Sequence, residues 1–420
     1  MGRTVTIVGQ GYVGLPLAQA AVAAGWRVYG LELSEELVTS LNSGRSHVDD
    51  LSDADLQQMV DGGYRATTDA SCVGESSVVV ICVPTPLGEA GAPDLGAVEA
   101  ACRSVGPNLS EGTVVILEST TYPGTTDEVC LPILEKEAKL TCGEGFLLAF
   151  SPERVDPGSK HFGVTNTPKL VGGSTPESTT AAADFYRSFV DEVVELSGTK
   201  EAESAKLLEN TFRHINIALV NEMAKFCHEL GIDIWEVIRG AATKPFGFMK
   251  FTPGPGVGGH CIPIDPNYLS YEVRKELGYP FRFVELAQEI NNSMPAYVAS
   301  RIMDLLNAER KAVNGSKILI LGVTYKPNIA DDRESPSVLL AEALTRKGAD
   351  ISFHDPFVAT WRLEHGVYEC VDDLDAALAD ADLTVLVQAH DAYDPSDIAS
   401  RAQRLFDTRG LTAPGEAHRL

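Results

Sequence analysis

Thr4-Val5-Thr6-Ile7-Val8-Gly9-Gln10-Gly11-Tyr12-Val13-Gly14 decides the fold. Five β-branched residues run into glycines spaced G-x-G-x-x-G, and an apolar helical stretch, Leu15 to Ala24, follows. In such a strand–turn–helix the first glycine makes the turn and the second lets the backbone approach a pyrophosphate. The third allows close helix–strand packing, with phosphate at the helix N-terminus. Three glycines alone are a common turn, but here the context is complete. Val28-Tyr29-Gly30-Leu31 reads as the next strand, and Glu32 closes it about 20 residues on. A carboxylate there accepts hydrogen bonds from a ribose diol and repels a 2′-phosphate, and Ser34, Glu35 and Glu36 supply no cation for one. Gly9, Gly11, Tyr12, Val13, Gly14 and Glu32 therefore read as a site for NAD rather than NADP.

Outward from this motif, residues 78–83 and 114–117 are further β-branched runs, each leading into a turn and a helical pattern, and 146–150 and 168–173 extend the series. This alternation is that of a parallel, doubly wound sheet. From Lys200 the period changes. Leu208, Phe212, Ile215, Leu219, Met223, Phe226 and Leu230 recur every three or four residues, with Glu201 and Glu203 near the start and Gly231 at the end, which predicts one long amphipathic helix. A Pro/Gly loop, 252–259, interrupts the helical segments that follow. A βα pattern restarts at 317–323 and continues through 350–353 and 383–387, without the glycine fingerprint: Gly322-Val323-Thr324-Tyr325-Lys326-Pro327 lacks the second and third glycines. The expected fold is α/β, with two Rossmann-like doubly wound parallel-sheet domains joined by a long central helix and helical middle domain. The expected divisions are 1–199, 200–312 and 313–420.

Composition narrows the partners. With 44% hydrophobic residues in 420, the chain is neither disordered nor fibrous. A net charge of −25 argues against general nucleic-acid binding and against adhesion to an anionic membrane. No apolar h-region precedes the first strand, and no run approaches the roughly 18 apolar residues of a membrane span. The 8 cysteines show no C-x-x-C and no zinc-like Cys/His spacing, so reduced thiols in a cytoplasmic protein without a metal site are expected. Any anionic ligand has to be met by a few cations gathered in one place.

Two sets of residues carry candidate chemistry. Lys206 and Asn210, four apart on the long helix, share one face, although an arbitrary Lys/Asn pair is usually a solvated polar stripe. Cys261 follows Gly258, Gly259 and His260 and precedes Asp265. Two glycines clear side chains from the thiol, whereas an arbitrary lone Cys is usually buried. His260, pointing away from its neighbour, reads as structural.

Taken together, residues 9–14, 83–86, 118–120, 151–153, Ala205-Lys206 with Glu209-Asn210, 258–261 with Asp265, and 332–336 resemble the UDP-glucose/GDP-mannose dehydrogenase family, in family order over almost the whole chain. The resemblance implies a four-electron oxidation of the C6 alcohol of a nucleotide-sugar, such as UDP-N-acetylglucosamine or UDP-glucose, to a carboxylate with two NAD. It assigns Lys206 and Asn210 to oxyanion stabilisation, Cys261 to a thiohemiacetal and then a thioester, Asp265 and Glu153 to proton transfer and water activation, and Thr120 to water positioning. Thr85, Thr120 and Arg333 match positions near NAD. Glu153, Lys206, Asn210, Gly258 and Lys326 match positions near substrate, and Lys244 a position from which a partner subunit reaches it. The resemblance also implies a homodimer built on the long helix, and residues 244–248 and 253–256 resemble the subgroup that includes UDP-N-acetylglucosamine 6-dehydrogenases. Two other readings stay open: a two-electron β-hydroxyacid dehydrogenase, which needs neither Cys261 nor a third domain, and an inactive NAD-binding sensor.

Overall fold

Every strand that the apolar runs predict is formed. The computed structural model describes residues 3–48, 51–86, 88, 92–155, 161–259 and 262–420. The chain divides into two units, Met1–Glu209 with Asn267–Gly278, and Asn210–Pro266 with Tyr279–Leu420.

In the first unit, β1 (Thr4–Val8), β2 (Arg27–Leu31), β3 (Tyr64–Thr67), β4 (Val78–Ile81), β5 (Thr113–Leu117), β6 (Phe146–Phe150), β7 (Lys169–Gly173) and β8 (Val193–Glu195) form one sheet in the order β3-β2-β1-β4-β5-β6-β7-β8. All pairs are parallel except β6 with β7. Side chains alternate across the sheet: Val78 and Val80 join the core of Val5, Ile7 and Leu15, whereas Val79 and Ile81 join that of Val115 and Leu117. Both faces are buried, which is why the strands read as continuous apolar runs. Helices α1 (Gly14–Ala23), α2 (Glu35–Asn42), α3 (Asp53–Asp61), α4 (Gly96–Val105), α5 (Leu131–Ala138) and α6 (Pro176–Tyr186) belong to this unit. The order reverses between β1 and β4, and ligands of such sheets bind beyond the carboxyl ends at that reversal.

The long helix, α7 (Thr199–Glu229), passes from one unit to the other between Glu209 and Asn210. Of its predicted apolar stripe, Leu208, Phe212, Leu219, Phe226 and Leu230 are exposed, at 44–69%. The buried face carries Glu203, Lys206, Asn210, Thr211, His214 and Asn221 beside Ala202, Leu207, Ala218, Val220, Ala224 and Cys227. The periodicity found the helix correctly, but most of the predicted stripe faces outward, with Ile215 and Met223 half-buried.

The second unit holds α8 (Ile234–Ala241), the start of α9 (Asp265–Leu277), α10 (Arg282–Ala308) and a second sheet. Its strands are β9 (Lys317–Leu321), β10 (Asp350–His354), β13 (Leu383–Leu386), β14 (Leu405–Asp407) and β15 (His418–Arg419), in the parallel order β10-β9-β13-β14-β15; β11 (Thr360–Leu363) and β12 (Gly366–Glu369) form a separate hairpin. Helices α11 (Pro336–Thr345), α12 (Leu374–Asp380) and α13 (Pro395–Arg401) complete it. Ile318 and Ile320 share one core with Val220, Trp235, Met294 and Val298, so the middle helices and the second sheet are continuous in packing.

Candidate active site

The glycine motif separates into residues that the fold itself needs and one that it leaves open. Gly9 has φ +88°, and a Cβ there would lie 2.8 Å from the Cys82 carbonyl oxygen. A Cβ at Gly14 would lie 2.0 Å from the Gly9 oxygen. A Cβ at Gly11 would meet nothing within 4 Å. The first and third glycines are thus fixed by packing, while the second faces open space, where the expected close approach of a dinucleotide pyrophosphate requires it. Val13, exposed Tyr12's neighbour, caps α1 without a side-chain hydrogen bond, and the first turn has no acidic residue, so the helix dipole is not already neutralised there. Glu32 is aimed by backbone: its carboxylate accepts from the Gln10 amide at 3.1 Å and the Leu33 amide at 2.8 Å. These residues fit NAD.

At the reversal of strand order, the loops after β4 and β5 are tied together. Thr85 Oγ1 donates to the Thr120 carbonyl at 2.8 Å, Ser119 Oγ to the Val83 carbonyl at 2.7 Å, and Tyr268 hydroxyl to the Thr85 carbonyl. Farther along, Glu203 of α7 accepts from Gly124 N (2.6 Å), Thr126 N (2.9 Å) and Thr126 Oγ1 (2.7 Å). Burial nevertheless pushes its carboxyl up to about 7.

One turn along α7, buried Lys206 donates to the Glu153 carbonyl, and its Nζ lies 3.8 Å from the Glu153 carboxylate. Burial pushes the Glu153 carboxyl up, against Lys206 and Lys169, which hold it down. The adjacent residues repeat the pairing: Arg154 NH2 lies 2.7 Å from Glu209 Oε1. The turn after β6 is therefore clasped to α7 at two successive positions.

In the second unit, Asn210 Nδ2 donates to Asp265 Oδ2 at 2.5 Å, both side chains being buried. Gly258 and Gly259 pack closely: a Cβ at Gly258 would lie 2.5 Å from the Glu334 oxygen, and one at Gly259, whose φ is +85°, 2.7 Å from the Tyr325 ring. These glycines thus let the loop approach residues 325 and 334, a role beyond clearing space around a thiol. Cys261 itself, with His260, lies outside the described residues.

Among the four cations expected near anionic ligands, Lys206 is buried, and Lys326 and Arg333 share the loop after β9. Arg333 forms a two-pronged pair with Asp331, at 2.8 and 2.7 Å. Lys244 stands on the exposed stretch 242–250, with Nζ 5.0 Å from the Phe246 ring centroid.

The loop after β9 is braced by residues that the sequence reading missed. His390 Nε2 lies 3.0 Å from Asp355 Oδ2, both side chains fully buried, and His390 Nδ1 accepts from the Asn328 amide at 2.9 Å. That acceptor role places the imidazole proton on Nε2, facing the carboxylate. Nothing local marks this pair, whose members stand 35 residues apart. Glu203 was read only as a carboxylate at the helix start, not as a buried acceptor, and the Glu118–Lys169 pair was missed; Glu118 lay in a motif, but Lys169 carried no signal. Among the described residues, no group of three or more His, Cys, Asp or Glu is arranged to hold a metal ion, and no helix is long and apolar enough to cross a membrane.

A parallel sheet with an open second glycine at its first turn and a carboxylate closing its second strand defines an NAD-binding Rossmann protein. The chain belongs to the UDP-glucose/GDP-mannose dehydrogenase family: residues 3–190 match its NAD binding domain, 200–293 its central domain and 319–414 its UDP binding domain. It is 36% identical over 358 residues to a UDP-N-acetyl-D-glucosamine 6-dehydrogenase of Pseudomonas aeruginosa, covering 84% of this chain and 83% of that one. It is 34% identical over 423 residues to a UDP-N-acetyl-D-mannosamine dehydrogenase of Salmonella typhi, covering 97% and 99%. The solved UDP-D-ManNAc dehydrogenase of Pyrococcus horikoshii superposes with a TM-score of 0.88 at 32% identity, over 98% of this chain and 96% of that one. The protein is accordingly an NAD-binding oxidoreductase of the nucleotide-sugar dehydrogenase type. The matched third domain sets aside the β-hydroxyacid reading.

Proposed function

We propose that the chain oxidises the C6 hydroxyl of a UDP-N-acetylhexosamine to the uronic acid in two successive two-electron steps, UDP-glucose being the other candidate sugar. The observation that carries this reading is a buried lysine, Lys206, held against Glu153 one helical turn before Asn210. NAD, when bound, is the acceptor for the hydride leaving C6 at each step, two equivalents per sugar. Lys206 and Asn210 donate hydrogen bonds to the developing C6 oxyanion. The Cys261 thiolate adds to the aldehyde as a thiohemiacetal, retains it while cofactor is exchanged, and becomes a thioester after the second oxidation. Glu153 and Asp265 take protons and activate the hydrolytic water, which Thr120 orients. Gly9, Gly11, Tyr12, Val13, Gly14, Glu32, Thr85, Thr120 and Arg333 bind NAD; Gly258, Lys326 and a partner's copy of position 244 complete the substrate site. Sequence relatives acting on acetamido sugars support the choice of sugar.

We assign these tasks to three segments, 1–199, 200–312 and 313–420, and a homodimer to the exposed stripe of α7, since four large apolar residues on one helix, with Leu230 just after it, exceed what a free surface ordinarily shows. Leu219→Asp should then give monomers by light scattering. The test of function is NADH yield with UDP-N-acetylglucosamine, UDP-N-acetylmannosamine and UDP-glucose. Two NADH per sugar are expected, with Cys261→Ser slowed by at least about a hundredfold; one NADH, or a Cys261→Ser enzyme at full rate, overturns the covalent route.

A further inference from the structure

Beneath the turn that carries Glu153 lies a second buried charge pair. Lys169 Nζ, on β7, is 2.8 Å from Glu118 Oε1, with side-chain exposures of 10% and 1%. Tyr186 hydroxyl donates to the same oxygen, and Lys169 Nζ lies 5.0 Å from the Tyr186 ring centroid. Cys82 Sγ stands 3.9 Å from the other Glu118 oxygen. A buried ion pair of this kind is commonly no more stabilising than apolar residues of the same volume, so stability alone does not explain it.

Its position does. Because β6 and β7 run antiparallel, Lys169 begins its strand where β6 ends. The residues on either side of Lys169 are bonded to the Glu153 turn: Ser151 Oγ donates to the Leu170 carbonyl at 2.8 Å, and Arg154 NH1 to the Pro168 carbonyl at 2.5 Å. Ser151 N in turn donates to the Leu117 carbonyl at 3.0 Å, next to Glu118. Among the described residues, the charged and titratable groups facing Glu153 are Lys206 from α7, Lys169 from β7, Glu118 after β5 and the Cys82 thiol after β4, with the Arg154–Glu209 pair alongside. Burial pushes the Cys82 thiol well above its ordinary value, so it stays neutral.

We propose that Lys169, bound to Glu118 and lodged against Tyr186, is a positioning residue for Glu153: it holds the 151–155 turn in place and supplies, with Lys206, the positive charge that compensates a buried carboxylate there. The proposal rests on the reading of Glu153 as a group that takes protons during turnover. Lys169 lowers the cost of the ionised form and Glu118 raises it, the lysine having the larger effect. Removing the lysine therefore shifts Glu153 towards the protonated state, and removing both partners shifts it less.

The experiment compares Lys169→Met, Lys169→Met with Glu118→Gln, and Lys169→Arg. The first readout is the pH dependence of kcat/KM with NAD and whichever UDP-N-acetylhexosamine turns over. The acid limb should move up by about one pH unit in Lys169→Met, by less in the double variant and not at all in Lys169→Arg. The second needs no substrate: thermal unfolding against pH, with Glu153 present or replaced by Gln. With Glu118 replaced by Gln throughout, so that its own titration does not enter, the pH-dependent part of the Lys169→Met effect should vanish in the Glu153→Gln background. Variants that lower Tm while leaving the limb and the coupling unmoved overturn the proposal and leave Lys169 a structural pin. A wild-type pH profile in Glu153→Gln, with the unfolding coupling intact, instead overturns the catalytic reading of Glu153 and leaves the brace standing.

Discussion

Each of the two sheets reverses its strand order after its first strand, yet the turns at the two reversals are built differently. After β1, the turn is shaped by glycines five residues apart, Gly9 and Gly14, and the position between them is left open. After β9, a single glycine survives: Gly322, at φ +75°, whose Cβ would meet the Gln388 oxygen at 2.2 Å. Beside local bonds such as the Arg333–Asp331 pair, that loop is held from a distance, by His390 accepting from Asn328 and by Asn328 Oδ1 accepting from Asp391 N at 2.8 Å. A turn built from local backbone freedom leaves a spacing in the sequence. A turn held by a side chain 62 residues away and a backbone amide 63 residues away leaves none.

The sharpest way to break this comparison is Gly14→Ala. Its Cβ falls on backbone, which cannot move as a side-chain tip can, so we expect a loss of roughly 3 kcal/mol in unfolding free energy and no detectable NAD binding by calorimetry. His390→Ala attacks the other loop. It leaves Asp355 buried with one donor fewer, although the Val323 and Phe357 amides still reach it at 2.7 and 2.8 Å. We expect about 2 kcal/mol lower stability and roughly tenfold weaker UDP binding, with NAD affinity unchanged in the same titration. Equal losses for both ligands would mean that the loops are not independently built.

Gly11→Ala should separate folding from binding. With nothing within 4 Å, the added methyl leaves the melting temperature alone. It stands where a pyrophosphate needs close backbone, and NAD affinity should fall about tenfold or more. A variant that binds NAD normally would show that the open space is not the cofactor's. The smallest expected effect concerns Glu203. Its folded carboxyl titrates near 7, above its ordinary 4.5. A carboxyl raised in this way contributes stability that is complete below the unfolded value and is lost as pH rises through about 7. Glu203→Gln should therefore flatten the pH dependence of denaturant unfolding between those values; an unchanged slope would assign that dependence to other groups.

The same division between local and distant causes explains what could be read early. The strands, the long helix, the NAD motif and Glu32 were legible because each is a pattern within about 20 residues. The α7 stripe was legible as a helix but not as an outward face: Leu208, Leu219 and Phe226 have the period of a buried stripe, and a period does not say which way the stripe faces. Lys206 and Asn210 were legible as a pair on one face; that Lys206 meets Glu153 and Asn210 meets Asp265 was not, since those partners lie 53 and 55 residues away.

The sequence by itself determined the α/β class, the NAD motif and the preference for a ribose hydroxyl over a phosphate, because glycine conformation and carboxylate charge act where they stand. Only the tertiary structure decided which carboxylates are buried, which lysines compensate them and how the loop after β9 is braced. Those are properties of desolvation and of contacts between distant strands, and both arise only when the sheets have formed.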